Sequence, residues 1–186
     1  MKRNSGTGEE NPPGSQAPQA PPCVLVIFGG AGDLTRRKLA PALYYLSRTA
    51  LLPERFAVIG VGVDEHTDES YREYLDAEIR EMVRGDFSEE IWSGIRRRIH
   101  YHRADFRDQQ AYEALGELLR EIDGREKTGG NILFYLATPP AFFAEIPARL
   151  AGAGLVGTDA GGWRRVIVEK PFGRDLTSAG SSTGIF

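Results

Sequence analysis

Cysteine is almost absent from this 186-residue chain. The single Cys23 excludes an internal disulfide framework and any multi-cysteine metal site, and no metal is expected. An excess of one charge is also missing, since 23 basic and 26 acidic side chains leave a net charge of −3. Neither a nucleic acid nor an anionic membrane surface has an electrostatic reason to bind. No apolar run approaches the roughly 20 residues that a membrane helix requires. The start of the chain lacks the apolar core of a secretory signal, so a cytoplasmic location is the default expectation. No internal repeat occurs, and the length suits one domain of ordinary size better than two.

What is present has a clear order. Residues 1–22 hold five of the eleven prolines among Gly, Ser, Gln and Asn, and are expected to form a disordered tail. From Cys23 onward, short apolar runs recur at Val24–Phe28, Phe56–Val61, Ile132–Leu136 and Val166–Val168, with a weaker alternating run at Ile99–His102. Such runs predict strands, buried on both faces where they are continuous. Helical spacing separates them. Leu34, Leu39, Leu43 and Leu46 mark the first apolar face, and Tyr71, Leu75, Ile79 and Met82 the second. Ser88 is placed to cap a third helix. Tyr112, Leu115, Leu118, Leu119 and Ile122 mark a fourth, with Gly124 as its expected stop, and Phe142, Phe143, Ile146 and Leu150 mark a fifth. Alternation of this kind predicts an α/β fold, a Rossmann-like doubly wound parallel sheet over residues 23–176. Residues 177–186 lack helical periodicity and are expected to be an irregular tail.

The strongest local signal is Gly29-Gly30-Ala31-Gly32-Asp33-Leu34-Thr35, which leaves a buried strand and opens a helix. Gly29 permits a sharp turn, and Gly32 lets backbone approach a pyrophosphate without a Cβ in the way. Free N–H groups at the helix start would bind phosphate oxygens. A tight strand-to-helix turn without a ligand is the alternative, and Asp33 could serve simply as a helix cap. Arg36-Arg37-Lys38 follows one turn later, where helix-dipole logic does not favour cations. It is either a solvated basic face or an anion site to which Lys38 reaches.

Three segments together resemble the amino-terminal part of the glucose-6-phosphate dehydrogenase family. They are Gly29 to Leu39 with Pro41 following, Phe134-Tyr135-Leu136-Ala137-Thr138-Pro139-Pro140, and Val168-Glu169-Lys170-Pro171-Phe172-Gly173-Arg174-Asp175-Leu176. The resemblance implies a coenzyme domain, without the large α+β domain that follows it in the family. It also implies oxidation of glucose 6-phosphate at C1 to the lactone, with hydride passing to NADP or, in some members, NAD. Carried over, Gly29, Gly30, Ala31, Gly32, Asp33, Leu34, Thr35 and Arg36 would line the coenzyme. Asp105 and Phe106 would lie along it, Lys38 would serve the substrate, and Lys170 would touch both. Pro171 matches a proline whose preceding bond is cis in the family. The bottom-up reading of Lys170 agrees, because a Lys ending a buried strand sits on the ligand edge of such a sheet. A charge that merely ends the strand is the alternative.

The sequence departs from the family pattern in three places. Val63 stands where NADP-using members place an Arg for the 2′-phosphate, and Asp64 follows it. Valine cannot replace a bidentate guanidinium, and an acid there suits the ribose 2′-hydroxyl of NAD, so weakened NADP preference is expected. Phe143 replaces a family tyrosine, a loss of one hydroxyl. The family's general base, a His backed by an Asp in a later Arg-Ile-Asp-His-Tyr segment, has no counterpart here. His66 falls in a polar loop, and His100 and His102 read as strand side chains. The chain thus reads as a truncated member, inactive alone, with a non-catalytic dinucleotide-binding remnant as the alternative. No oligomer is assumed. A reductase of another family would need a Tyr-x-x-x-Lys pair, and none occurs; Tyr112 is followed four residues later by Gly116.

Overall fold

A computed structural model describes residues 19–83, 85, 87–157 and 161–168. Five strands form one sheet: β1 (Cys23–Phe28), β2 (Phe56–Gly62), β3 (Ile99–Arg103), β4 (Ile132–Leu136) and β5 (Arg164–Val168). All pairs are parallel and the order is β3-β2-β1-β4-β5. The helices are α1 (Ala40–Arg48), α2 (Asp68–Met82), α3 (Glu89–Arg96), α4 (Gln109–Glu126) and α5 (Glu145–Gly152). This is the doubly wound α/β arrangement that the alternating pattern predicts. Among the described residues no helix is long and apolar enough to cross a membrane.

Two cores flank the sheet. Helices α1 to α3 cover one face, where Tyr44, Tyr71, Leu75, Ile79 and Trp92 meet Ile27, Val58 and Ile99. Helices α4 and α5 cover the other, where Tyr112, Leu115, Ile146 and Leu150 meet Val24, Val26, Phe28, Ile59 and Phe134. Each large apolar side chain fully buried here contributes roughly 1.5–3 kcal/mol, so packing rather than helix propensity holds these elements. The chain crosses from one face to the other between β3 and β4. Strand connections therefore diverge between β1 and β4, the place where open α/β sheets bind ligands beyond the strand C-termini.

The ends of α2 and α3 carry side-chain caps, whereas the end of α4 departs from its sequence signal. Thr67 and Ser70 form a reciprocal capping box at the start of α2, and the Ser88 hydroxyl accepts from the Ile91 amide to start α3. Helix α4 runs through Gly124 and ends one residue before Lys127, which takes the left-handed conformation at φ 55°. Lys127 thus does what glycine was expected to do.

The apolar face of α1 also differs from expectation. Thr35, Ala40, Pro41 and Tyr44 are buried, whereas Leu34, Leu39 and Leu43 are half-buried and Leu46 is exposed. The cause is a π-helical segment at Thr35–Leu39, in which the Ala40 amide donates to the Thr35 carbonyl five residues back. A π turn holds an extra residue and rotates everything after it. Pro41, with no N–H to continue the ladder, sits just beyond this wide turn. In α2 the buried positions step by four, so Val83 is buried in place of Met82.

Residues 19–22, assigned by composition to the tail, lie against the body of the chain. The Ala20 amide donates to the Leu51 carbonyl, and the Asn131 side-chain amide donates to the Pro22 carbonyl at 2.9 Å. Asn131 also accepts from the Trp163 amide at 3.0 Å, tying the starts of β1 and β5 to β4. Residues 1–18 and 177–186, both expected tails, lie outside the described residues.

Candidate functional site

The glycine turn is packed from two sides. Gly29 has φ +85°, and a Cβ on it would lie 2.4 Å from the Ala137 carbonyl oxygen at the end of β4. A Cβ on Gly30 would meet the Gly60 Cα at 2.6 Å, and a Cβ on Gly60 would meet the Tyr71 hydroxyl at 2.4 Å. Turn, β2 and α2 therefore touch through two glycines. Gly32 is less crowded, with the Gly29 oxygen 3.1 Å from where its Cβ would be.

Hydrogen bonds sort the turn into an inner and an outer set. Inward, the Gly29 and Gly30 amides both donate to the Val61 carbonyl, at 2.8 and 3.0 Å. The Gly29 carbonyl accepts from the Gly32 amide and the Thr35 hydroxyl, both at 3.0 Å. The Gly30 carbonyl accepts from the Tyr71 hydroxyl and the Ala31 carbonyl from the Tyr74 hydroxyl, each at 2.8 Å. The Gly32 carbonyl accepts from the Arg36 amide at 3.1 Å. Among the described residues, the amides of Ala31, Asp33 and Leu34 donate to no protein group. Gly29 and Gly30 thus supply shape, while Ala31, Asp33 and Leu34 have N–H groups to offer an anion. Beside the turn, the Thr138 hydroxyl is buried without a partner, a second group with capacity to spare.

The basic run divides. Arg36 binds Asp33 at 3.0 Å and Glu78 of α2 at 3.4 Å, with its guanidinium over the Tyr74 ring. Arg37 lies 3.7 Å from Asp33 and 3.9 Å from Glu78. Lys38 is exposed and forms no ion pair among the described residues. Arg36, expected along the coenzyme, is therefore engaged by two carboxylates. Asp33 does not cap the helix, because the N-terminal turn carries no side-chain cap and the Asp33 carboxylate holds Arg36 instead.

The remaining strand ends line up on the same edge. After β2, Val63 is 60% exposed and is followed by exposed Asp64 and Glu65. Glu65 pairs at 2.9 Å with Arg103, which ends β3. Asp105 is exposed and accepts from the Arg107 amide at 2.9 Å. Phe106 was expected along the coenzyme, but its ring is buried in the core, edge-on to Phe28 at 5.8 Å and to Phe142 at 5.2 Å. The cause is the tight turn after β3, which points this apolar ring inward. Glu169, Lys170 and Pro171 lie outside the described residues.

The histidines are occupied elsewhere. His100 lies between Asp68 and Arg125, and His102 contacts the Ala111 carbonyl at 2.8 Å. His66 was read as part of a polar loop, yet it packs against Tyr71, Tyr74 and Tyr101 with ring centroids 5.2–5.8 Å apart. Tyr71 and Tyr74 had no functional signal, since apolar spacing marked Tyr71 only as core. Gly60 inside a strand was the available clue, because an interior strand glycine often marks close backbone approach. Burial, reinforced by the neighbouring Tyr101 and Tyr74, pushes the Tyr71 hydroxyl far above its ordinary range, so it remains an O–H donor at any working pH.

Comparison with known proteins agrees with this geometry. The profile of the family described as "Glucose-6-phosphate dehydrogenase, NAD binding domain" matches residues 26–183. Glucose-6-phosphate 1-dehydrogenase of Chlamydia pneumoniae is 41% identical over 162 residues, which are 86% of this chain and 32% of that protein. Glucose-6-phosphate 1-dehydrogenase 2 of Mycobacterium tuberculosis is 36% identical over 160 residues, 86% of this chain and 31% of that one. A solved glucose-6-phosphate dehydrogenase in complex with its substrate glucose-6-phosphate superposes with a TM-score of 0.74 at 31% identity, over 88% of this chain and 34% of that chain. The Mycobacterium avium enzyme superposes with a TM-score of 0.69 at 34% identity, over 86% of this chain and 32% of that one. The chain spans about a third of the length of these relatives. Its sequence, its five-stranded sheet and its glycine turn place it in the glucose-6-phosphate dehydrogenase NAD-binding domain family.

Proposed function

We propose that this chain is the coenzyme-binding part of an enzyme that oxidises glucose 6-phosphate at C1 to the lactone. The observation that carries the reading is the row of unengaged amides at Ala31, Asp33 and Leu34, set where the sheet connections diverge. These amides would hold the coenzyme pyrophosphate, with the Thr138 hydroxyl as a further donor. A bound nicotinamide dinucleotide would supply the hydride acceptor. Lys38, exposed beyond the turn, is free to meet a sugar phosphate as a point charge. Lys170 is assigned to coenzyme and substrate by its motif alone, as are Gly29, Gly30, Gly32, Thr35, Arg36, Asp105 and Phe106 to the coenzyme side.

The preferred coenzyme on this reading is NAD rather than NADP. Exposed Val63 offers no hydrogen bond, Asp64 and Glu65 would repel a 2′-phosphate, and Arg103 is already paired with Glu65. Asp64 would accept the ribose 2′-hydroxyl instead. None of the three histidines is placed as a general base, so the 186-residue chain should bind coenzyme without turning over.

Fluorescence titration with NADH and NADPH tests both points. NADH should bind more tightly, and Val63→Arg should raise NADPH affinity about tenfold, the worth of one charge-assisted contact. Tighter binding of NADPH by the unaltered chain would overturn the NAD preference. Glucose 6-phosphate-dependent formation of NADH or NADPH by the purified chain would overturn the expectation of binding without turnover.

A further inference from the structure

The glycine turn could present either of two surfaces. Peptide units flanked by glycine reorient easily, and in a trans peptide the C=O and the following N–H point in opposite directions. Rotating the Gly30–Ala31 unit would withdraw the Ala31 amide and push a carbonyl oxygen towards the phosphate. Carbonyl dipoles repel an anion, so the orientation of these units decides whether the turn attracts or rejects a pyrophosphate.

In this chain all four carbonyls from Gly29 to Gly32 are tied back. Local donors hold two of them: Gly29 by the Gly32 amide and the Thr35 hydroxyl, and Gly32 by the Arg36 amide. The other two depend on α2, which lies more than thirty residues further along. Tyr71 holds the Gly30 carbonyl and Tyr74 the Ala31 carbonyl, each at 2.8 Å. With the Gly30 oxygen turned to Tyr71, the Ala31 N–H must face the other way, away from α2. The tyrosines are themselves held: Tyr71 is fully buried against Gly60, and Tyr74 lies under Arg36, which Glu78 anchors to the same helix.

We propose that Tyr71 and Tyr74 are positioning residues for coenzyme binding: the Tyr71 hydroxyl locks the Gly30–Ala31 unit with the Ala31 amide presented to the pyrophosphate, and the Tyr74 hydroxyl keeps the Ala31 carbonyl turned away from it. This rests on the reading that the turn holds a dinucleotide. Neither hydroxyl needs to touch the ligand, since both act through the backbone.

The test is NADH titration of the 186-residue chain and of its Tyr71→Phe, Tyr74→Phe and double variants, with 15N-resolved NMR of the Ala31 amide. Each single variant should weaken NADH binding about tenfold, the worth of one lost hydrogen bond of ordinary strength, and the double variant more. The Ala31 amide should shift downfield on binding in the unaltered chain and much less in Tyr71→Phe and the double variant, a signature that a loss of stability alone would not give. Tyr44→Phe is the control, because it removes an equally buried hydroxyl that accepts from the Ser88 amide at 2.7 Å, away from the turn. It should bind NADH normally. Folded variants that bind NADH as tightly as the unaltered chain, with the Ala31 shift intact, would overturn the positioning role. If Tyr71→Phe does not fold, the half-buried Tyr74 decides the matter through Tyr74→Phe. An unaltered chain that binds neither NADH nor NADPH would overturn the reading of the turn itself, and the positioning role with it.

Discussion

The two outer strands of the sheet are treated differently. Along β3, helix α2 reaches over the edge and satisfies it with side chains. Asp68 accepts from the Tyr101 amide at 2.8 Å, and the Arg72 Nε donates to the Ile99 carbonyl at 2.8 Å. His100 closes the edge from between Asp68 and Arg125. Along β5, no described element pairs with the outer side, and Val166, Ile167 and Val168 are 38%, 42% and 42% exposed. Charged side chains on an edge strand block further pairing, whereas an open apolar edge permits it. Among the described residues, one side of the sheet is therefore closed by its own helix, and the other is left open.

The contrast should be visible in stability. Asp68→Ala should have the largest effect, because it strips the acceptor from both the Tyr101 amide and His100. A buried donor left unsatisfied costs about 1–3 kcal/mol, so urea unfolding should show a loss of about 2–3 kcal/mol. Arg72→Ala should cost about 1 kcal/mol, since the Ile99 carbonyl can then take a water. Ile167→Lys should shift stability by no more than about 0.5 kcal/mol, the usual range for a surface change. An Ile167→Lys loss as large as that of Asp68→Ala would break the comparison.

Acid should sharpen it. Asp76 packs on the β3 side and Asp123 near the start of β5. Burial works against ionisation of both, but is outweighed by Arg80 and Trp92 at Asp76, and by Thr128 and Gly130 at Asp123. Both carboxyls are thus held below their ordinary range in the folded chain. Their contribution is complete above the unfolded value of about 4 and is lost as pH falls through the lower folded value. Stability measured between pH 5 and pH 2 should fall, and Asp76→Asn and Asp123→Asn should each flatten part of that fall. An unchanged slope in Asp123→Asn would show that the β5 side takes no share in it.

Much of this arrangement was legible from periodicity and glycine placement. Ile132–Leu136 is a strand over the same residues, and Ser88 caps the helix that it was expected to cap. Local chemistry suffices there, because apolar runs and caps act within a few residues. The π segment ahead of α1 was not legible, since it depends on how Thr35 and Pro41 fit against the sheet rather than on residue spacing. Around the turn, Gly29 was legible from its position after a strand. The inward ring of Phe106 and the hold of Tyr71 and Tyr74 on the turn were not, because each depends on contacts between segments far apart in sequence. The pairing of Arg36 with Glu78 was hidden for the same reason, being a contact between two helices.

The two tryptophans fall one to each side of the sheet. Trp92 is 1% exposed, beneath α2 on the β3 side, and its indole N–H donates to Asp76 at 2.6 Å. Trp163 is half-buried at the entry to β5, with the Arg165 guanidinium 4.7 Å from its ring. The first should emit at shorter wavelength than the second, so a single fluorescence spectrum carries two separate clocks for unfolding. If the sheet melts as one unit, both clocks run together. If the open side loosens first, the long-wavelength emission should change while the short-wavelength emission still reports a folded interior.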